Sequence, residues 1–453
     1  MQSNTFRLFI SSTFSDFKKE REILHTKVFP RISEYCTSLG FSFQPIDLRW
    51  GVNNEAQLDQ KTLEVCLEEV KACKHFPHPH FLIMCGDRYG YIPLPYMIET
   101  EEFERLKKDI AKNNESIDII YKPQKDKDEN IISHKETRQT TSLELLDEWY
   151  KEDKNQIPLE DENQIPLKEK NSTAYILQPR RRDEYAKGDP KRNEYTIYVN
   201  WEAEQSALRK ILQTAATATL DIDTPEWKKY FLSATEAEVI EGIREYGPQT
   251  TAQKELGNTM DKEYVFGYLR TIDNPSGAYA DQEESLEPTR AETFKKNLEN
   301  TLRENIHQAS YESTKEYESS NFEAFEKYFY EHLKLVIDKQ KEQTDSLTSL
   351  QKEQDQQKKF KNDKLKGFLG REKTLSHITT YLNNQSIKQP LIIYGPSGMG
   401  KSSLLAKAIE KVIKKAEQSL SNAHILYRFV GATQGSTTLR ALLTSICDEL
   451  QEK

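Results

Sequence analysis

The chain has 453 residues, of which 36% are hydrophobic and 30% charged, and 64 Lys and Arg against 73 Asp and Glu leave a net charge of −9. That length holds two to four domains at roughly 100–200 residues each, and the acidic balance excludes global electrostatic steering toward nucleic acid. No apolar run approaches the ~20 residues needed to cross a bilayer, and no basic stretch leads into a long apolar run at the N-terminus, so a cytoplasmic chain is expected.

The first hundred residues alternate strand and helix. FRLFI (6–10) is a short apolar run ending in SSTFSD, whose Ser and Asp side chains suit the cap of a following helix. That helix, about 15–38, carries Phe17, Ile23, Leu24, Val28, Ile32 and Tyr35 near a 3.6-residue period. FSFQPIDL (41–48) reads as a second strand, RWGVNNEAQ as a loop, TLEVCLEEVKAC (62–73) as a helix, and HFLIMCG (80–86) as a buried third strand. This alternation predicts an α/β fold with a doubly wound parallel sheet. Sites in such sheets lie at the C-terminal strand ends, which gathers Ser11, Ser12, Asp47, Arg49, Trp50, Gly86, Asp87 and Arg88 around one crevice.

Further along, KPQKDKDENIISHKETRQTT (122–141) reads as an insertion, and DKNQIPLE (153–160) is nearly duplicated by DENQIPLK (161–168), a tandem expansion within a loop. Arg180, Arg181 and Arg182 read as a solvated loop. Residues 191–340 look mainly helical, with a capping signal at Ser233 or Thr235 ahead of Glu236 and Glu238. Phe322, Phe325, Tyr328 and Phe329 form an aromatic stripe expected in a core. Residues 341–366 are charged and Gln-rich, a solvated linker helix with a domain boundary near its end. The five cysteines (36, 66, 73, 85 and 447) have no framework spacing and read as reduced, mostly buried thiols. In CKHFPHPH (73–80), Cys73, His75, His78 and His80 invite a zinc reading, but no second ligand cluster appears, and a turn before the third strand is preferred.

GPSGMGKS (395–402) fits G-x-x-x-x-G-K-[ST], with apolar LIIY (391–394) expected as a strand before it and a helix from Ser402 after it. Gly395, Gly398 and Gly400 let backbone N–H groups turn toward phosphates, Lys401 is placed for the β- and γ-phosphates, Ser402 for Mg²⁺, and Ser403 follows them at the helix start. ATP or ADP with Mg²⁺ is therefore the expected ligand. HILYRFVGATQGSTTLRALLTSICDEL (424–450) reads as a second strand and a helix. No acidic strand of the kind that positions Mg²⁺ and water for hydrolysis follows residue 403. The expectation is that this chain is the N-terminal part of a longer protein.

FLGRE (368–372), just before the P-loop, resembles the segment that AAA-type and STAND NTPases place near the adenine, which assigns Arg371 to nucleotide binding. FRLFISSTFSDFKKERE, PIDLRWGV, CLEEVKAC and HFLIMCGDRYGYIPLP together resemble the TIR-like domain that opens some STAND NTPases. NACHT-and-WD-repeat proteins, nephrocystin-3 and the telomerase-associated vault protein are among these. LLDEWYKEDKN, YILQPR, YFLSATEAEV and FVGATQGSTTLRALL are similar to further segments of the same group. The resemblance implies a nucleotide-switched signalling protein that self-associates on activation, with a C-terminal repeat region beyond this chain. Bacterial members of such architectures act in anti-phage defence, so an immune role is one expectation; nucleic acid and membrane are not expected partners of this region. The implied organisation is a TIR-like domain over 1–190, a helical region over 191–340, a linker helix over 341–366 and an incomplete P-loop domain over 367–453.

TIR domains that cleave NAD carry a glutamate on the helix after the third strand. By that resemblance MIETEEFERL (97–106) offers Glu102, with Glu99 and Glu101 as neighbours. A carboxylate there would steady an oxocarbenium-like ribosyl centre. Asp47, Trp50 and Tyr89 are the expected contacts of such a ligand, the two rings by stacking. The plainer reading of Glu99–Glu104 is a solvated acidic helix start favoured by the helix dipole. Asp47 and Arg49 have a plainer reading too, as partners of Arg88 and Asp87. A non-catalytic interaction module therefore stands beside the enzyme.

Overall fold

Strands form where the sequence is apolar enough to be covered on both faces. The computed structural model describes residues 5–13, 15–48, 58–121, 124–125, 131–133, 137–153, 173–222, 224–243, 264–280, 290–365, 368, 370–384, 389–418 and 424–452. The described chain divides into two compact units, Thr5–Val336 and Ile337–Lys453.

The first unit is built on five strands: β1 (Thr5–Ser12), β2 (Ser42–Ile46), β3 (Phe81–Cys85), β9 (Val265–Ile272) and β10 (Ile306–Tyr311). All neighbours pair parallel, in the order β10-β9-β3-β1-β2. Counted along the sheet's own strands this is 2-1-3-4-5, a doubly wound order whose direction reverses between β1 and β3. β3 is buried at every position, and β9 at every position but Thr271. These central strands read as unbroken apolar runs because helices cover both faces.

The helix read over 15–38 is α1 (Lys18–Ile23), a π-helical turn (Leu24–Val28) and α2 (Phe29–Ser38). α3 (Thr62–Cys73) has the predicted bounds. Between β3 and β9 the chain makes a long excursion with its own core. It contains β4 (Met97–Glu99), α4 (Thr100–Lys112), β5 (Ser116–Ile119), β6 (Arg138–Thr141), α5 (Ser142–Trp149), β7 (Tyr150–Asp153), β8 (Ala174–Leu177) and α6 (Tyr198–Thr219). Trp149, Trp201 and Trp227 are buried in that core with Phe103, Leu145 and Leu208. The chain then returns through α7 (Ala234–Gly242), whose N-cap Ser233 accepts from the Glu236 N–H. Gly242 is tight for a reason: a Cβ there would lie 2.6 Å from the Phe81 ring of β3. α8 (Arg290–Leu302) links β9 and β10, and α9 (Glu323–Ser346) follows with Phe322, Phe325 and Phe329 buried and Tyr328 half-buried.

The region 191–340, read as mainly helical, therefore also supplies two strands of the N-terminal sheet. β10 is an edge strand with exposed and half-buried positions alternating, so it lacks the apolar run that betrayed β3.

In the second unit, α10 (Ser349–Leu365) departs from a solvated linker. Glu353, Gln357 and Lys361 are buried. Gln357 accepts from the Phe429 N–H at 2.7 Å and donates to the Phe429 carbonyl at 3.3 Å, while Thr433 donates to Glu353 at 2.7 Å. Its polar side chains thus satisfy a backbone segment with no ladder of its own. α11 (Glu372–Asn383), α12 (Lys401–Gln418) and α13 (Leu439–Gln451) complete this unit. LIIY and the segment 424–429, both read as strands, join no ladder among the described residues. A strand needs a partner edge, and Leu391, Ile392 and Tyr394 are instead exposed.

Among the described residues no helix is long and apolar enough to cross a membrane. Cys36, Cys66, Cys73 and Cys85 are buried free thiols, and Cys447 is free and exposed.

Candidate functional site

Two places bear chemistry, one in each unit. In the second unit the P-loop enters α12 directly. Gly398 and Gly400 take φ +80° and +75°, a conformation that costs a side-chain-bearing residue roughly 1–2 kcal/mol, and open space surrounds the Cβ positions of Gly395, Gly398 and Gly400. α12 begins at Lys401, so its positive dipole end faces the loop. Lys401 Nζ donates to the carbonyls of Gly395 and Pro396 at 2.8 Å each, Ser402 is exposed and Ser403 half-buried. Arg371, itself at φ +63°, donates to the Met399 carbonyl at 2.8 Å. Glycine freedom, a helix N-terminus, a cation and a hydroxyl at one corner fit a nucleotide phosphate chain and its Mg²⁺. Among the described residues after Ser403, acidic side chains lie on α12 and α13 or directly after α13, and Glu449 pairs with Arg428 at 2.6 Å.

In the first unit the motif SSTFSDFKKER wires the strand ends together. Arg21 is 2% exposed; it donates to Ser12 Oγ at 2.7 Å and to Asp47, whose other oxygen meets His25 Nε2 at 3.0 Å. Thr13 donates to Asp16 at 2.5 Å. Asp16 and Glu20 both bind Arg270 of β9, at 2.8 and 3.3 Å, with all three side chains fully buried. Tyr317 donates to Glu20 at 2.7 Å, and burial outweighs the Arg270 charge in pushing the Glu20 carboxyl above its usual range.

The predicted site residues separate into groups. Ser11, Ser12 and Asp47 do converge. Asp47 pairs with Arg21 and His25 rather than with Arg88. Asp87 instead binds Lys295 at 2.8 Å and accepts from the Ile272 N–H at 3.0 Å, while Arg88 donates to Ser15 and to the Ala278 carbonyl. Arg49 and Trp50 lie outside the described residues. Tyr89 is buried, its hydroxyl donating to Glu236 and accepting from the Ser233 N–H at 3.1 Å and from Arg290 at 2.8 Å. That engagement leaves its ring as a core element.

Glu102 stands apart from the crevice. It is 4% exposed on α4, where Lys229 Nζ binds one carboxylate oxygen at 2.5 Å and the Tyr230 hydroxyl binds the other. α4 packs on α6, α5 and the small antiparallel sheet, so Glu102 serves the core of the excursion. Glu99 and Glu101 are exposed. His78 and His80, offered as metal ligands, face each other Nδ1 to Nδ1 at 2.8 Å, and His80 Nε2 lies 3.1 Å from the Gly242 carbonyl. Among the described residues no group of three or more His, Cys, Asp and Glu could hold a metal.

The residue that sequence reading passed over is Glu238. Read there only as part of a cap signal, it lies on the buried face of α7, 7% exposed, and accepts from Ser11 Oγ at 2.5 Å. Burial pushes its carboxyl up to about 7, against the lowering pull of hydrogen bonds from Ser11 and Cys66 and of the Arg21 charge. An acid at the apolar stripe position beside Val239 was the available signal.

Two family models match this chain: a domain of unknown function over residues 7–171, and Novel STAND NTPase 1 over residues 355–450. The mouse NACHT domain- and WD repeat-containing protein 1 is 23% identical over 94% of this chain and 25% of its own length. The human NACHT and WD repeat domain-containing protein 2 is 26% identical over 98% of this chain and 25% of its own. The mouse telomerase protein component 1 is 42% identical over 20% of this chain and 3% of its own. The chain thus spans about a quarter of the length of the first relatives it matches. No solved structure matches it. The P-loop region is STAND-like, the relatives support a STAND-like NTPase, and the N-terminal match is compatible with a TIR-like domain.

Proposed function

We propose that this chain is the nucleotide-binding switch and effector portion of a STAND-type signalling protein. The observation that carries the reading is the P-loop corner: two glycines at positive φ feeding a helix that opens on Lys401 and Ser402. ATP or ADP binds there, Lys401 leaving its loop carbonyls for the phosphates, Ser402 offering its hydroxyl to Mg²⁺ and Arg371 holding the loop from the adenine side. Bound nucleotide biases the chain between a closed and a self-associated state. The test is a titration of fluorescent ADP and ATP with and without Mg²⁺; binding weakened about 10- to 150-fold in Lys401→Ala supports the reading, and unchanged binding sinks it.

The first unit is the effector, and in this reading it hydrolyses NAD. Water adds to the ribosyl carbon as the bond to nicotinamide breaks, giving nicotinamide, ADP-ribose and a proton. The 2-1-3-4-5 parallel order, whose β1/β3 reversal point holds nucleotides in such sheets, supports this, as do the hydroxyls and carboxyl at that point. A role in immune or anti-phage defence follows from the same resemblance. The competing reading is a non-catalytic module that recruits partners; the buried, hydrogen-bonded Ser12, Thr13, Asp16, Glu20 and Arg21 of SSTFSDFKKER favour it, because they act as wiring between elements.

A further inference from the structure

We propose that the excursion of the first unit carries an anion site of its own, a cleft that takes the phosphoryl group of a small phosphomonoester beside Arg182. None of its residues belongs to the P-loop or to the strand ends of the parallel sheet.

The cleft has a volume of about 680 Å³, within the roughly 300–1,000 Å³ of small-molecule sites. Its cations come from separate places in the chain: Arg138 at the start of β6, Lys151 in β7, Arg182 after β8, and Lys191. Arg180, Arg181 and Arg182, read from the sequence as a solvated loop, depart from it, since Arg180 and Arg182 are each 7% exposed. Arg180 donates to the carbonyls of Tyr195 and Thr196 at 2.9 and 3.0 Å, and the Arg182 N–H donates to the Arg192 carbonyl at 2.9 Å, which fixes the backbone on either side. The Arg182 guanidinium lies 4.1 Å from the Trp149 ring centre. That stack holds its plane without consuming its N–H donors.

These cations are short of negative charge. Glu148 gives one oxygen to each guanidinium, closely to Arg138 and at 3.5 Å to Arg182. The long contact is the one carboxylate partner of Arg182 among the described residues, and a guanidinium has five N–H groups to offer. Arg138 is anchored from behind by the fully buried Glu204 at 3.0 Å. Lys151 Nζ meets the Asp147 carbonyl at 2.5 Å and Lys191 Nζ lies 5.8 Å from the Tyr185 ring centre, and neither has a carboxylate partner among the described residues. Glu184 and Glu194 also line the cleft, so four cations face three acids. A phosphomonoester brings about 1.5–2 negative charges near pH 7 and three acceptor oxygens, where a carboxylate brings one charge and two oxygens. Glu148, 32% exposed and bridging two guanidiniums, is the protein's own anion at this place. The ligand displaces it from Arg182, its longer contact, and leaves its closer bond to Arg138.

The experiment titrates inorganic phosphate by calorimetry into the full chain carrying Lys401→Ala, which removes the P-loop lysine that would also attract it. Saturable binding is expected, weakened at least tenfold in Arg182→Gln and several-fold in Lys191→Ala, and tightened several-fold in Glu148→Gln, where the competing carboxylate is gone. A purely structural role for these charges gives no gain in Glu148→Gln. Lys191 is exposed, so its variant serves if Arg182→Gln does not fold, which circular dichroism reports. Absence of saturable binding, binding unchanged in these two variants, or binding weakened in Glu148→Gln overturns the site. Glycerol 3-phosphate is expected to bind at least as tightly as inorganic phosphate; a phosphoserine peptide that binds tenfold tighter than either overturns the small-molecule assignment and makes the carrier a protein.

Discussion

Replacing Glu238 by Gln isolates the energetic cost of burying this carboxyl. In the folded chain the group titrates near 7 against an ordinary 4.5. Its folded value is raised, so the stability it contributes is fully present below about 4.5 and is lost as pH rises through about 7. A shift of that size, at 1.36 kcal/mol per unit, corresponds to about 3 kcal/mol, and between pH 5 and pH 8 the part that develops is about 2–3 kcal/mol. Gln keeps an oxygen that accepts from Ser11 and cannot ionise. The stability of Glu238→Gln minus that of the parent chain is thus expected to grow by about 2–3 kcal/mol from pH 5 to pH 8. Urea unfolding followed by tryptophan fluorescence measures it, because Trp149, Trp201 and Trp227 are buried in the first unit. A difference that stays constant with pH, or that shrinks toward pH 8, refutes the claim that burial holds this carboxyl near neutrality.

Arg270→Met strips the cation from Asp16 and Glu20 and leaves two buried carboxylates uncompensated, so urea unfolding should show a loss of about 3–5 kcal/mol; a loss under 1 kcal/mol would show that the network holds nothing together. Gly242→Ala forces a methyl against Phe81 at 2.6 Å and is expected to cost about 1–3 kcal/mol by the same measurement, with no effect on nucleotide binding. Lys401→Ala removes one charge-assisted contact to phosphate, about 1.5–3 kcal/mol, and should weaken ADP and ATP about 10- to 150-fold in fluorescence titrations.

What the sequence made legible was local. FRLFI and HFLIMC announced buried strands because both faces of a central parallel strand are apolar. TLEVCLEEVKAC announced a helix, and GPSGMGKS carries its whole geometry within eight residues. Long-range relations stayed hidden. β9 and β10 come after a long excursion, and nothing in their neighbourhood says that they rejoin the first sheet. Glu238 resembled a capping acid until Ser11, 227 residues away, was seen donating to it. Residues Ser349–Leu365 are polar enough to pass for a linker, and the hydrogen bonds of Gln357 to the Phe429 backbone explain its burial. Glu102 lies on the first helix after β3 in the chain, and nothing local in MIETEEFERL tells that this helix packs in the core of the excursion.

The most direct test of the account is the rate of NAD consumption per mole of chain, at low and at high protein concentration, with ADP and with a non-hydrolysable ATP analogue. A nucleotide-switched effector predicts turnover that rises with concentration and with the ATP analogue and loses its nucleotide response in Lys401→Ala. Zero turnover under every condition would contradict the enzymatic reading and leave a recruiting module. Turnover indifferent to nucleotide in the parent chain would contradict the switch.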